Sequence, residues 1–144
     1  MRERAVLISV KEKWAERILT GEKTVEVRKT VPKLETPFTC YIYQSGTGFI
    51  VGEFVCDKLI WVIAHPAVFA GYPTLFAKSI SDACMTQDEA EAYSGGKDLY
   101  GWHIAEVRRY ETPVPLECFG LRRPPVSWRY VIGRDCHAAC GCSQ

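Results

Sequence analysis

No stretch of this chain stays apolar for the roughly 20 residues that a membrane-spanning helix needs. The apolar run Ala5–Val10 is interrupted by Ser9 and ended by Lys11, too short for a secretory leader. The expected location is therefore cytoplasmic, with no membrane partner. There is no large charge of one sign: the formal net charge is +1, so total charge by itself does not point to nucleic acid. A phosphate-cradling glycine loop, a serine elbow and a metalloprotease helix are all missing, which sets aside the chemistries those motifs serve. Internal repeats and low-complexity tracts are missing too. What remains is ordinary for a globular domain: 144 residues, 47% hydrophobic and 24% charged, enough to bury a core. The 7 cysteines are odd in number and show no framework spacing, so they read as free thiols. Cys40, Cys56, Cys84 and Cys118 read as small core or half-buried residues.

The near-zero net charge hides an asymmetry. Residues 1–33 carry nine Lys/Arg against five Asp/Glu, residues 34–106 three against nine, and residues 107–144 six against three. If the two ends meet in space, a basic face forms opposite an acidic one.

Strand signals dominate. Arg4–Val10 is almost continuously apolar and reads as a central strand. Lys11–Thr20 is amphipathic and helical, with Trp14, Ile18 and Leu19 on one face and Gly21 as its stop. Lys23–Arg28 alternates as a second strand, and the two prolines of Thr30–Pro37 make a loop. Phe38–Gln44 and Phe49–Ile63 flank the turn Ser45-Gly46-Thr47-Gly48 as a hairpin, the second strand long enough to bend. Ala64–Ser79 reads as a variable, partly ordered insertion. Thr86 and Glu89 form a capping-box signature that opens a helix through about Tyr93. Leu99–Tyr110 is a strand stopped by Pro113 and Pro115, and Val126–Ile132 is the last. The expected fold class is mainly β with short helices (α+β). Six strands suggest a small, partly closed mixed barrel with the first helix over one opening. Residues 1–132 form the domain, and residues 133–144 a Cys-rich tail.

Chemistry concentrates in Lys11–Lys33. Val25 and Val27 point to a core, so Thr24, Glu26 and Arg28 point the other way. With Lys23 they gather an ammonium, a hydroxyl, a carboxylate and a guanidinium that can hold a phosphate or a polar base. Arg28 suits a phosphate, and Glu26 suits a base amino group or general-base work. Lys23 supplies charge or, when desolvated, a proton acceptor. The competing account is a ladder of ion pairs on an exposed strand. Lys11 and Trp14 stand at the helix start; Trp14 reads as core, with base stacking at a rim as the alternative. Tyr41 and Tyr43 share a strand face and offer hydroxyls or rings. Trp102 reads as packing or cleft wall. His103, between small residues, is either an acid–base group or a hydrogen-bonded structural histidine. Arg129 either joins a basic cleft or guards an edge strand. In the tail, Cys136, His137, Cys140 and Cys142 are zinc-ligand types without a paired-knuckle spacing, so no metal or other cofactor is expected.

The segments LISVKEKWAERILTGEKTVEVRKTVPK, CYIYQSGTGFIVGEFVCD, YSGGKDLYGWHI and RRPPVSWRYV span residues 7–131. In this order they resemble the ASCH domain of the PUA-like superfamily, in its phage and prophage branch. The resemblance implies a PUA-like β-barrel with a helix at the cleft edge and a role in binding RNA or modified nucleosides. One similar subgroup hydrolyses N4-acetylcytidine, with the motif lysine activating a threonine three residues on; another is ribonuclease-like. Lys23 matches that lysine, but the threonine position is Glu26. Three functions follow: an RNA- or nucleoside-binding module, a hydrolase working through Lys23 and Glu26, or a protein-interaction adaptor using the aromatic-rich Trp61–Phe76.

Overall fold

The computed structural model describes residues 3–66 and 71–134. β1 (Arg4–Val10) is buried on both faces, as its nearly continuous apolar run, broken only by Ser9, requires. Val6, Ile8 and Val10 enter one core cluster, and Ala5 and Leu7 enter a second on the opposite side. α1 (Glu12–Leu19) follows and covers the first cluster with Ala15 and Ile18. Next come β2 (Val25–Arg28), β3 (Phe38–Gln44) and β4 (Phe49–Ala64). After them lie β5 (Thr74–Leu75), α2 (Ala77–Asp82) and α3 (Gln87–Ser94). β6 (Leu99–Pro115), a 3-10 turn and β7 (Trp128–Ile132) complete the described chain. No helix among the described residues is long and apolar enough to cross a membrane.

The strands make one sheet in the order β2-β6-β4-β3-β1-β7, with β5 added to β4. β1 and β3 are parallel, and the other pairs antiparallel. β4 and β6 are long because they bend: their shared register slips at four places. Each slip raises local twist and lets the pair wrap a core rather than lie flat. The sheet stays open by backbone pairing, since its end strands β2 and β7 do not pair. Side chains bridge the seam. Arg28 of β2 donates to the Ser127 hydroxyl (3.0 Å) and to the Ser9 carbonyl (2.7 Å). Beside it, Trp102 and Trp128 both donate to Thr30, through its carbonyl and its hydroxyl.

The mainly β, α+β class is observed, as are the bounds of β1 and β3. The capping box is complete: Glu89 N–H donates to the Thr86 hydroxyl, and Thr86 N–H to the Glu89 carboxylate. In the segment Ala64–Ser79, Thr74–Leu75 form β5 on the end of β4 and α2 begins, with Ile80 sealing a third core cluster with Val25 and Val27. One expectation needs correction. β6 continues through Pro113 to Pro115. β2 pairs only with Tyr100–His103, so further along β6 has β4 as its one strand partner and a missing N–H on the free side is tolerated. Cys40 and Cys56 are buried and Cys84 and Cys118 half-buried, all as free thiols. Burial pushes the Cys56 thiol up to about 12.

Candidate functional site

A cavity of about 330 Å³ opens where α1, β2, the β1 end and α3 converge. Lys23, Glu26 and Arg28 lie buried in its base, 3%, 5% and 9% exposed. Half-buried Trp14 and Met85 line it with Ser9, Val10 and Val27, and exposed Lys11, Ser45, Tyr93 and Val126 complete the lining.

Local sequence positions these groups. Gly21, in the left-handed region at φ 87°, ends α1, and the returning chain donates Lys23 N–H to the Arg17 carbonyl. Lys23 is thereby held under Trp14, its ammonium 4.9 Å from the ring centroid. Lys23 Nζ donates to the Ala83 carbonyl at 2.7 Å. That carbonyl sits at the C-terminal end of α2, where unpaired carbonyls and the helix dipole favour a cation. β2 alternates as its pattern requires: Val25 and Val27 enter the third core cluster, and Glu26 and Arg28 face the cavity.

The three charges are not equivalent. Glu26 Oε2 accepts a hydrogen bond from Arg28 Nε at 2.9 Å and lies 2.8 Å from Arg28 Nη2 as an ion pair. Arg28 also donates to Ser127 and Ser9, so its N–H groups are engaged within the protein. Within the protein this guanidinium bridges the open seam and holds Glu26. Glu26 Oε1 lies 3.5 Å from Lys23 Nζ, a long contact that leaves acceptor capacity facing the cavity. The buried set carries two cations and one carboxylate, and Lys11 adds a third positive charge, so the cavity favours an electron-rich, hydrogen-bonding guest.

Burial lowers the Lys23 pKa from its ordinary 10.5, and the Glu26 carboxylate opposes that shift. Between the lowered value and 10.5 the unfolded chain binds more protons than the folded one, so this group adds stability as pH rises through that window. In an NMR titration of labelled lysine Cε carbons, Lys23 is expected to titrate below the exposed lysines. A midpoint at or above theirs contradicts its buried placement.

Of the residues read from the sequence, Lys11, Lys23, Glu26 and Arg28 meet in this cavity. The others lie elsewhere. Thr24 serves by its backbone, donating to Asp82 and accepting from Ile104. Tyr43 is buried in the second core cluster. Trp102 is opposite Glu26 in the ladder but 0% exposed, a support behind the site. His103 pairs with Val25, on the alternate face, and its Nδ1 lies 2.6 Å from Asp57. Arg129 is exposed on β7, outside the cavity lining. Cys136, His137, Cys140 and Cys142 fall outside the described residues, and the described residues hold no metal-ligating cluster.

Sequence reasoning missed Ser45, Met85, Tyr93 and Val126 as lining groups. Ser9 left a signal, since it breaks an otherwise apolar strand. Met85 and Tyr93 left none, because they reach the cavity only through the packing of α2 and α3 on β2. Trp14, read as core, partly packs on the first cluster and also forms cavity wall.

The model of the ASCH domain family matches residues 8–114. Three similar solved structures are ASCH proteins of Zymomonas mobilis, each 18% identical to this chain. A serine-to-alanine mutant has a TM-score of 0.73, with 96% of this chain and 94% of that one covered. A tyrosine-to-phenylalanine mutant has a TM-score of 0.74, with 96% of each covered. The third, an ASCH protein with no mutation named, has a TM-score of 0.69, with 88% of this chain and 86% of that one covered. At this identity the likeness concerns the fold alone. No curated protein matches the chain in sequence. The family match runs through α1, the Gly21–Arg28 return and β2, which carry the buried charges of the cavity, and by it this chain belongs to the ASCH domain family.

Proposed function

We propose that this ASCH domain binds RNA or a modified nucleoside, seating one base in the cavity beside Lys23 and Glu26. One observation carries the reading: a Lys–Glu–Arg cluster is buried at the base of a concave site with aromatic walls. A structural ion-pair ladder on an open strand needs no such hollow. The volume is near the lower end of the ~300–1,000 Å³ typical of small-molecule sites, which suits one nucleoside and excludes a base-paired helix. Lys23 donates and Glu26 Oε1 accepts, as an edge-on base requires, while Trp14 and Tyr93 offer ring faces. The association of ASCH domains with RNA binding agrees.

A second reading is favoured by Lys23. Burial lowers the pKa of its amine, the direction that suits proton transfer on an N4-acylated cytidine or a phosphodiester.

Calorimetric titration with nucleosides and 5′-mononucleotides tests the first reading. Trp14→Ala is expected to weaken binding about tenfold or more, since stacking on an aromatic contributes about 1–3 kcal/mol per base. Equal affinity in wild type and Trp14→Ala removes the base from the cavity. Incubation with N4-acetylcytidine and single-stranded RNA tests the second: product formed equally by wild type and Lys23→Ala excludes it.

A further inference from the structure

The helix across the cavity from α1 is fastened only at its two ends. α3 runs between Cys84, whose backbone is left-handed at φ 61°, and Gly95 and Gly96, at φ 55° and 85°. The chain is pinned just outside these points. On the entry side Thr24 N–H donates to the Asp82 carbonyl and Lys23 Nζ to the Ala83 carbonyl. On the exit side the Asp98 carboxylate accepts the His65 N–H at 2.8 Å and lies 2.9 Å from His65 Nδ1. In between, among the described residues, no hydrogen bond or ion pair joins residues 86–97 to the remainder of the protein. The polar contacts of this segment are its own: the Thr86–Glu89 capping box, Gln87 to Glu91, Gly95 N–H to the Glu91 carbonyl, and the Ser94 hydroxyl to the Lys97 carbonyl. Of the α3 side chains only Ala90 and Ser94 are buried, and Ala90 alone enters a core cluster. The Lys29 ammonium, 4.9 Å from the Tyr93 ring centroid, adds a contact that is weak at an exposed site.

Opposite charges face each other across the mouth without touching. The Glu89 carboxyl is held below its ordinary range by its hydrogen bonds with Thr86, and Lys13 and Arg17 of α1 add to that shift. Yet neither cation forms an ion pair with Glu89. Trp14 and Tyr93 line the cavity from the two helices, and no ring contact joins them. A helix that satisfies its own polar groups, between pinned ends and left-handed turns, can move as one body. We infer that residues 86–97 are a lid that swings toward α1 when the cavity fills, laying Tyr93 on the guest opposite Trp14 and bringing Glu89 to Lys13 and Arg17. The methyl group of Ala90 is the pivot, too small an anchor to lock the helix in place. The lid rests on the cavity reading for its guest and adds that the cavity with its rings apart is the receiving state, so that affinity includes the cost of closure.

The test measures the α1–α3 distance in the full chain by electron spin resonance. Spin labels are carried on ketone side chains introduced at exposed Glu12 and Ala92, which leaves the native thiols untouched. The free protein is expected to show a minor short-distance population, and saturating 5′-mononucleotide to raise it about threefold or more. Glu89→Gln is the informative variant, because glutamine keeps the capping box and removes only the charge that faces α1. It should lower the short-distance population about threefold with helix content unchanged, and raised salt should do the same to wild type. Lys13→Glu/Arg17→Glu, on the other helix, should act in the same direction. Calorimetry on the same samples separates this inference from the reading beneath it. If a mononucleotide binds and the distances stay as in the free protein, the lid is overturned and the cavity reading stands. If no mononucleotide binds, the cavity reading falls and the free protein decides the lid. A short-distance population lost in Glu89→Gln and in salt retains it, and a single distance insensitive to both overturns it.

Discussion

Arg28→Ala is expected to lower stability by about 3–5 kcal/mol, because it strands a buried carboxylate. Glu26 is 5% exposed, and among the described residues Oε2 accepts from Arg28 alone. Removing the guanidinium leaves that oxygen without its donor at a buried position and cuts the links from β2 to Ser127 and Ser9 across the open seam. Lys23 stands 3.5 Å away and offsets part of the loss, so the lower end of the range is expected. For a domain of this length that corresponds to a fall of roughly 10 °C in Tm. Arg28→Lys keeps the charge but not the planar fork, and should recover little. The double variant Glu26→Gln/Arg28→Ala removes the stranded charge and should be more stable than Arg28→Ala alone. Arg129→Ala, on the surface, should stay within about 0.5 kcal/mol of wild type. Urea denaturation with an unchanged m-value reads all four. A loss below about 1 kcal/mol for Arg28→Ala contradicts the assignment of the guanidinium as the seam clasp.

The second large effect is Trp102→Ala, with an expected loss of about 3–5 kcal/mol. The indole is fully buried, meets Phe38 and Trp128 edge-on at 5.9 and 5.7 Å, and donates to the Thr30 carbonyl at 3.3 Å. No neighbouring strand can collapse into so large a void. Trp102→Phe should lose less, keeping most of the ring packing but not the N–H bond. Because Trp102 supports Glu26 from the adjacent strand without lining the cavity, the folded Phe variant should bind mononucleotides within about threefold of wild type, a change near 0.6 kcal/mol. A Trp102→Phe variant with wild-type stability but no binding would make this side chain a ligand contact after all.

Much of this architecture can be read from residue order. The nearly continuous apolar run of β1 demanded burial on both faces, and the strand lies between β3 and β7 with a core on each side. Thr86 and Glu89 marked a helix start because their mutual hydrogen bonds are local. The alternation of β2 separated Val25 and Val27 from Glu26 and Arg28. Long-range consequences were harder to see. Residues 64–79 carry no strong periodicity, and β5 exists only because the end of β4 offers it an edge. That Arg28 would be engaged inside the protein depends on Ser127 and Ser9, 99 and 19 residues away in sequence. His103 was placed on the alternate strand face by the β2–β6 register, which pairing and not composition decides. Tyr93 and Met85 became cavity residues through helix packing, which no local pattern encodes.

The central claim is that the buried Lys23–Glu26 pair faces a guest of nucleoside size. Its most direct test is to map a saturating 5′-mononucleotide onto the protein by NMR, following backbone amides and the Trp14 indole. Perturbations centred on Trp14, Lys23, Glu26 and Tyr93, with His103 and Tyr43 unmoved, are the predicted result. Perturbations confined to the opposite side of the sheet, with Trp14 and Lys23 silent while the ligand binds, contradict it.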